Sequence, residues 1–220
     1  MVGARTNERA RQASWECAVC GVSLDSPLSC QACHALQEPE REPTPHELFG
    51  LAPGLAVCPR SLERKLMQLS RSLHPDFFGT AAPEVRELAE RNIARLNDAY
   101  RLLSDPVAHA DWWIRHLGGP SEQDERQMPQ AFLMEVLEWN EAIDAADAAD
   151  EEGGDDRTEA LRELESQLSA ERERLLGQLA RDFETLPDAP PDLTAARQQL
   201  NAVRYLDRAL ARIRGAHTSL

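Results

Sequence analysis

Apolar residues recur at helical spacing along most of the chain, and prolines and glycines punctuate them. From Pro59 onward, Leu62, Leu66, Leu69 and Leu73 fall within an arc of about 60° on a helical wheel. Arg60, Arg64 and Arg71 fall on the opposite side, within about 40°. One face of this helix therefore faces a core, and the other carries a basic stripe. Proline at its first position suits the start, where the missing N–H costs nothing. Pro75 then fixes φ and disfavours the helical region for His74, so the helix stops at about Leu73. His74-Pro75-Asp76 must sit in the turn of a helical hairpin. The returning helix spans about Pro83 to Leu103 and pairs through Val85, Leu88, Ile93, Leu96, Tyr100 and Leu103. Asp105-Pro106 caps a short further helix with Trp112, Trp113, Ile114 and Leu117, ending at Gly118-Gly119. Its aromatic pair reads as packing.

Three longer helices follow. The first, from Met128-Pro129 to about Ala149, has a core stripe of Phe132, Val136, Trp139 and Ile143 within about 60°. Leu133, Met134 and Leu137 form a second apolar patch about 120° away, bordered by Glu138 and Glu141. A helix at the edge of a small bundle needs only one such stripe, so the second is a wider core contact or a partner surface. Asp144 to Asp156 reads as a fraying helix end and loop. The next helix, about Thr158 to Thr185, carries Leu161, Leu164, Leu168, Leu175 and Leu179. After a turn over 186–191, Asp192 caps a last helix bearing Ala196, Leu200, Val203, Leu210 and Ile213. Tyr205 lies about 180° from Ala196 on this wheel, an aromatic off the core face and a hot-spot candidate. Short connections suit an antiparallel three-helix bundle.

Charge sharpens this picture. The 220 residues carry a net charge of −14, which disfavours general nucleic-acid binding. The distribution is uneven: Arg60 to Arg71 holds four bases and one acid, whereas Glu138 to Asp156 holds nine acids and no base. Two partner surfaces of opposite sign follow from that asymmetry. No apolar run approaches the roughly 18 residues of a membrane span. The polar first residues lack the apolar core of a secretory signal, and five cysteines, an odd number, suit a reducing compartment better than a disulfide framework. A cytoplasmic location is expected, with the mitochondrial matrix as the alternative because the N-terminus is Arg-bearing and poor in acids.

Cys17-Ala-Val-Cys20-Gly21 and Cys30-Gln-Ala-Cys33 are two CxxC pairs with nine residues between them. Two such knuckles present four thiolates to one point, the tetrahedral set that a structural zinc ion takes, and Gly21 suits the left-handed turn after a knuckle. The competing readings are two disulfides, a redox tail or, with metal bound, iron. His34 and His46 read as surface residues, and Cys58 as a packed cap residue. Glu38 to Pro45 is a charged, proline-spaced linker.

The HPD tripeptide between two antiparallel helices, behind a basic face, resembles the J-domain of DnaJ-type co-chaperones. The wider chain resembles the HscB co-chaperones of iron–sulfur cluster assembly, in the form with an N-terminal tetracysteine extension. The match is most specific at 30–37, 73–78, 96–103 and 131–143, and Val203 to Asp207 resembles the family's terminal helix. The resemblance implies an all-α fold: a tetracysteine zinc module with linker over 1–41, a J-domain over 42–119 and a C-terminal three-helix bundle over 120–220. It implies that His74, Pro75 and Asp76 trigger ATP hydrolysis in a DnaK/HscA-type chaperone, with Arg64, Lys65 and Arg71 as docking charges. It also implies that Leu133, Met134, Leu137, Glu138, Glu141 and Tyr205 bind the scaffold protein IscU; one acidic contact of the family falls on Ala145 here and should be missing. Phe77 stands where many J-domains have lysine, and the metal-binding HscB form also tolerates phenylalanine there. On this reading the chain is not an enzyme, binds neither nucleic acid nor membrane, and is a monomer or weak homodimer. The alternatives are a generic J-protein for unfolded clients and a zinc-ribbon regulator of nucleic acid.

Overall fold

A computed structural model describes residues 15–148, 154–186 and 189–218. From Pro45 onward the elements are helices, and the described residues contain no strand, only two isolated bridges, Glu16 with Ser23 and Ser29 with Leu36. The fold class is all-α, as the periodicity requires. The chain divides into two compact units that meet in sequence at Asp105 and Pro106.

In the first unit, α1 (Pro45–Leu48) is one turn held by a capping box: Thr44 accepts from the Glu47 N–H, and the Glu47 carboxylate accepts from that of Thr44. Helix α2 (Pro59–Leu73) starts on proline behind Cys58, which is exposed and makes no side-chain cap, so it is not the packed residue expected. The 3₁₀ turn Pro75–Phe78 then leads to α3 (Pro83–Ser104). Leu62, Leu73, Leu96, Ala99 and Leu103 close the hairpin core over Leu48 and Phe49, with Leu66 and Leu69 at its edge.

Leu28 of the cysteine segment is fully buried in this same core. The amide of the buried Asn92 on α3 donates to the carbonyls of Leu28 (3.2 Å) and Gln37 (2.9 Å), and Ser29 bonds Ser72 of α2 at 3.2 Å. The module expected over 1–41 is thus no independent bead. Its presumed linker is pinned too: Arg41 pairs with Glu47, Arg91 with Glu38 and Arg95 with Glu42. His46, expected at the surface, is 2% exposed and bonds the Gly54 carbonyl through Nε2 at 2.9 Å.

The second unit begins with α4 (Pro106–His116), which packs on α7 (Leu193–Thr218). The boundary expected at 119 therefore falls at 105, because Ala110, Trp113 and Ile114 are buried with the bundle's last helix. Helices α5 (Gln130–Ala148) and α6 (Gly154–Asp182) complete a three-helix bundle with α7. Phe132, Val136 and Ile143 meet Leu161, Leu164 and Leu168 of α6 and Val203, Leu206, Leu210 and Ile213 of α7. Part of the acidic stretch 144–156 lies outside the described residues. Asp192 caps α7 by accepting from the N–H groups of Thr194 and Ala195, as its type and position require.

An unforeseen ionic knot ties α4 to α7. Arg197 is fully buried; its Nε donates to the Pro120 carbonyl at 2.8 Å and its Nη1 to Asp111 Oδ1 at 2.6 Å. Arg115 and Arg204 also reach Asp111, at 2.9 and 3.1 Å. Burial alone raises the carboxyl's pKa, but the Arg197 hydrogen bond and the three guanidinium charges outweigh it and hold Asp111 below the usual carboxylate range.

Candidate functional site

Three groups of residues carry chemistry, and the folding of each is local. At the hairpin tip, His74 leaves α2 with an extended backbone (φ −62°, ψ 127°), as a residue before proline must. Its Nδ1 accepts the Asp76 N–H at 3.2 Å and lies 3.5 Å from an Asp76 carboxylate oxygen. Both side chains face solvent, His74 at 52% exposure and Asp76 at 90%. The imidazole and the carboxylate are thus held together at a corner that presents them outward. Phe77 next to them is 74% exposed.

Behind the tip, Arg60, Arg64 and Arg71 are exposed on α2, and none of them forms an ion pair with an acid among the described residues. An unpaired cation keeps its charge for an outside partner. Lys65 differs: its ammonium donates to the carbonyls of Phe49 (2.7 Å) and Gly50 (3.0 Å), closing the C-terminal end of α1. The structure spends this expected docking charge on the fold.

The four cysteines come together. Their sulfurs all lie within 4.8 Å of one another, with Cys17–Cys33 and Cys20–Cys30 at 3.6 Å. A tetrahedron with metal–sulfur bonds of about 2.3 Å has edges of about 3.8 Å, so the spacing fits a four-coordinate ion and is far too long for disulfides. The two knuckles repeat one geometry. Gly21 N–H bonds the Cys17 carbonyl and His34 N–H that of Cys30, and both residues have positive φ, +71° and +60°. Gly21 fills this position as expected; His34 does the same job in the second knuckle while its side chain stays exposed. The N–H of Val19 points to Cys17 Sγ and those of Ala32 and Cys33 to Cys30 Sγ, each at 3.4 Å. Led by the backbone N–H of Cys20, such contacts hold the Cys17 thiol down at about 6. Cys20 is pushed up to about 12: the Val22 N–H lowers it, but the neighbouring Cys17 and Cys33 sulfurs outweigh that donor. Four thiolates this close repel one another, and a divalent cation removes the conflict.

On α5, Phe132, Val136 and Ile143 turn inward, and Trp139 is half-buried with its ring 5.5 Å from that of Phe132. Leu133 (43% exposed), Met134 (71%) and Leu137 (64%) stay in solvent, with Glu138 and Glu141 exposed beside them. Of the two readings of the second apolar stripe, the wider core contact fails. Tyr205 is not off the core, as the wheel places it. It is half-buried, its ring lies 5.9 Å edge-on to Phe132, and its hydroxyl donates to Asn140 Oδ1 at 2.9 Å. Helix α5 covers it, which a wheel of α7 alone cannot show.

Against known proteins, residues 128–214 match a family described as the HSCB C-terminal oligomerisation domain. The chain is 32% identical over 160 residues to a co-chaperone protein HscB homolog of Pseudoalteromonas atlantica, spanning 72% of this chain and 86% of that one. It is 26% identical over 193 residues to the human iron–sulfur cluster co-chaperone protein HscB, spanning 87% of this chain and 76% of that one. The crystal structure of the human protein superposes with a TM-score of 0.69 over 93% of this chain and all of that one, at 26% identity. The fold is also that of chaperone HscB from Vibrio cholerae, TM-score 0.64 at 24% identity over 80% of this chain.

Proposed function

The chain belongs to the HscB co-chaperone family of iron–sulfur cluster assembly, and on that footing we propose that it works as a tether with a trigger. The trigger is the tip: His74, Pro75 and Asp76 stimulate ATP hydrolysis in a DnaK/HscA-type chaperone, which docks on Arg64 and Arg71. The tether is the α5 face: Leu133, Met134 and Leu137, rimmed by Glu138 and Glu141, hold an IscU-type scaffold protein. Bound on one chain, the scaffold meets the ATPase at an effective concentration set by the chain's own dimensions instead of by diffusion.

One observation carries this reading. The imidazole and carboxylate of the tip are exposed beside a helix face whose arginines are unpaired among the described residues, in a chain that is otherwise acidic. A protein at −14 that leaves cations unpaired on one face fits an acidic docking partner. The exposed apolar stripe fits a partner that desolvates it. The four thiolates would hold a zinc ion; it supplies folding free energy, on the order of 10 kcal/mol in isolated zinc modules, and no catalytic position. Catalysis belongs to the ATPase, so the chain itself is not an enzyme on this reading.

The test is His74→Gln, an exposed position where the change leaves the fold intact. ATP hydrolysis by a DnaK-type chaperone should rise with the native chain and stay at its unstimulated rate with the variant. Full stimulation by the variant would remove the trigger assignment.

A further inference from the structure

The cysteine segment and the hairpin enclose a cleft of about 640 Å³ beside the tip. Ser26, Gln31 and His34 form its module wall, next to Cys30; Leu69, Arg71 and Phe77 form its hairpin wall. The walls are fixed to each other. Ser29 and Ser72 bond across them at 3.2 Å, and Leu28 is locked in the hairpin core. At Gly50, φ is +55° and an added Cβ would meet the Asp25 carbonyl oxygen at 2.5 Å, so the module presses directly on the loop after α1. The cleft is a built feature of one compact unit.

Two properties of its lining are unspent. Phe77 is 74% exposed, a large aromatic surface left in water. Arg71 pairs with no acid among the described residues, and Asp25 is the single acid lining the cleft.

We propose that this cleft is a second docking site for the chaperone ATPase, taking an extended segment that carries an apolar side chain and a carboxylate. The inference rests on the trigger reading above, because the cleft runs on from the same helix face. The apolar side chain covers Phe77 and Leu69. The carboxylate meets Arg71. The phenylalanine that follows His74-Pro75-Asp76, where many J-domains carry lysine, then has a use: it replaces a point charge at the tip with an apolar contact beside it. The tetracysteine module likewise gains a role besides stabilising the unit, as one wall of the binding surface.

The experiment measures the Kd of the full chain, metal in place, for a purified DnaK-type ATPase in its ATP-bound form, with stimulated hydrolysis read in parallel. Phe77→Ser should raise Kd about fivefold, the scale of a truncated interface aromatic. Asp25→Asn should lower it about twofold, a gain that disappears in high salt. Native Kd in both Phe77→Ser and Asp25→Asn, with His74→Gln still abolishing stimulation, would overturn the cleft and leave the trigger standing. Full stimulation by His74→Gln would overturn both. Dissociation of a dimer by Phe77→Ser at unchanged Kd would show a second copy as the occupant and overturn the proposal.

Discussion

Helices α2 and α5 each bury one stripe and leave the opposite chemistry in water. On α2, four leucines face the core, and Arg60, Arg64 and Arg71 stay unpaired among the described residues. On α5, aromatic and branched residues face the core, and Leu133, Met134 and Leu137 stay exposed in an acidic rim. A charged face attracts at a distance and is weakened by salt; an apolar face acts on contact and is not. On the proposed reading, the two helices equip one chain for two partners. The units around them differ as well. The first carries a tetracysteine cluster, the second an ionic clamp on the buried Arg197 guanidinium between α4 and α7.

The four cysteines are the strongest point at which to break that contrast. With zinc held there as proposed, chelation, or Cys17→Ser with Cys30→Ser, should cost the first unit most, because up to about 10 kcal/mol of folding free energy would go with the ion. Hydrogen exchange should show the loss around Leu28 and Asn92, which share the hairpin core, with α6 and α7 unchanged.

The second unit's clamp should cost about 3 kcal/mol when Asp111→Asn leaves Arg197 buried without its counter-charge. The sign with pH follows from the depressed carboxyl. Asp111's contribution is present above its unfolded value of 3.8 and is lost as pH falls through the lower folded value. Urea unfolding should therefore separate native chain and variant at pH 7 and bring them together in strong acid.

The two faces themselves come next. Leu133→Ala, Met134→Ala and Leu137→Ala together should weaken scaffold binding about a hundredfold, nearly independent of salt, with little change in Tm because the side chains are already in water. Arg64→Ala with Arg71→Ala should weaken chaperone binding about tenfold at low salt and far less at high salt. Lys65→Ala, by contrast, should cost about 1 kcal/mol of stability through the carbonyls of Phe49 and Gly50, an effect on Tm instead of a salt-dependent loss of affinity. The smallest effect is His34→Gly, which should stabilise the module by about 0.5 kcal/mol, the relief of a positive φ less the freedom glycine gains in the unfolded chain.

What the sequence made legible was whatever a single element decides. The stop at Leu73, the cap at Asp192, the inward leucines of α2 and the paired CxxC knuckles depend on neighbours along the chain, and they stand where the spacing puts them. What it hid depends on a second element. Lys65 is indistinguishable from Arg64 in sequence; only the end of α1 singles it out. Tyr205 lies off the stripe of its own helix and is covered by another. Asn92, His46 and Arg197 are polar residues in buried positions, and nothing in the pattern marks which carbonyls or carboxylate will meet them. Helix α4 follows the hairpin in sequence but packs on α7, so its place was set by a contact some 85 residues away.

On the proposed reading, one face triggers and the other tethers. The most direct measurement is the rate of ATP hydrolysis by a DnaK-type chaperone with the native chain, His74→Gln and the triple alanine variant of α5, each with and without an IscU-type scaffold. His74→Gln should give no stimulation in either condition. The triple variant should stimulate on its own, without the further increment that the scaffold adds for the native chain. Stimulation that survives in His74→Gln, or a scaffold increment that survives in the triple variant, would contradict it.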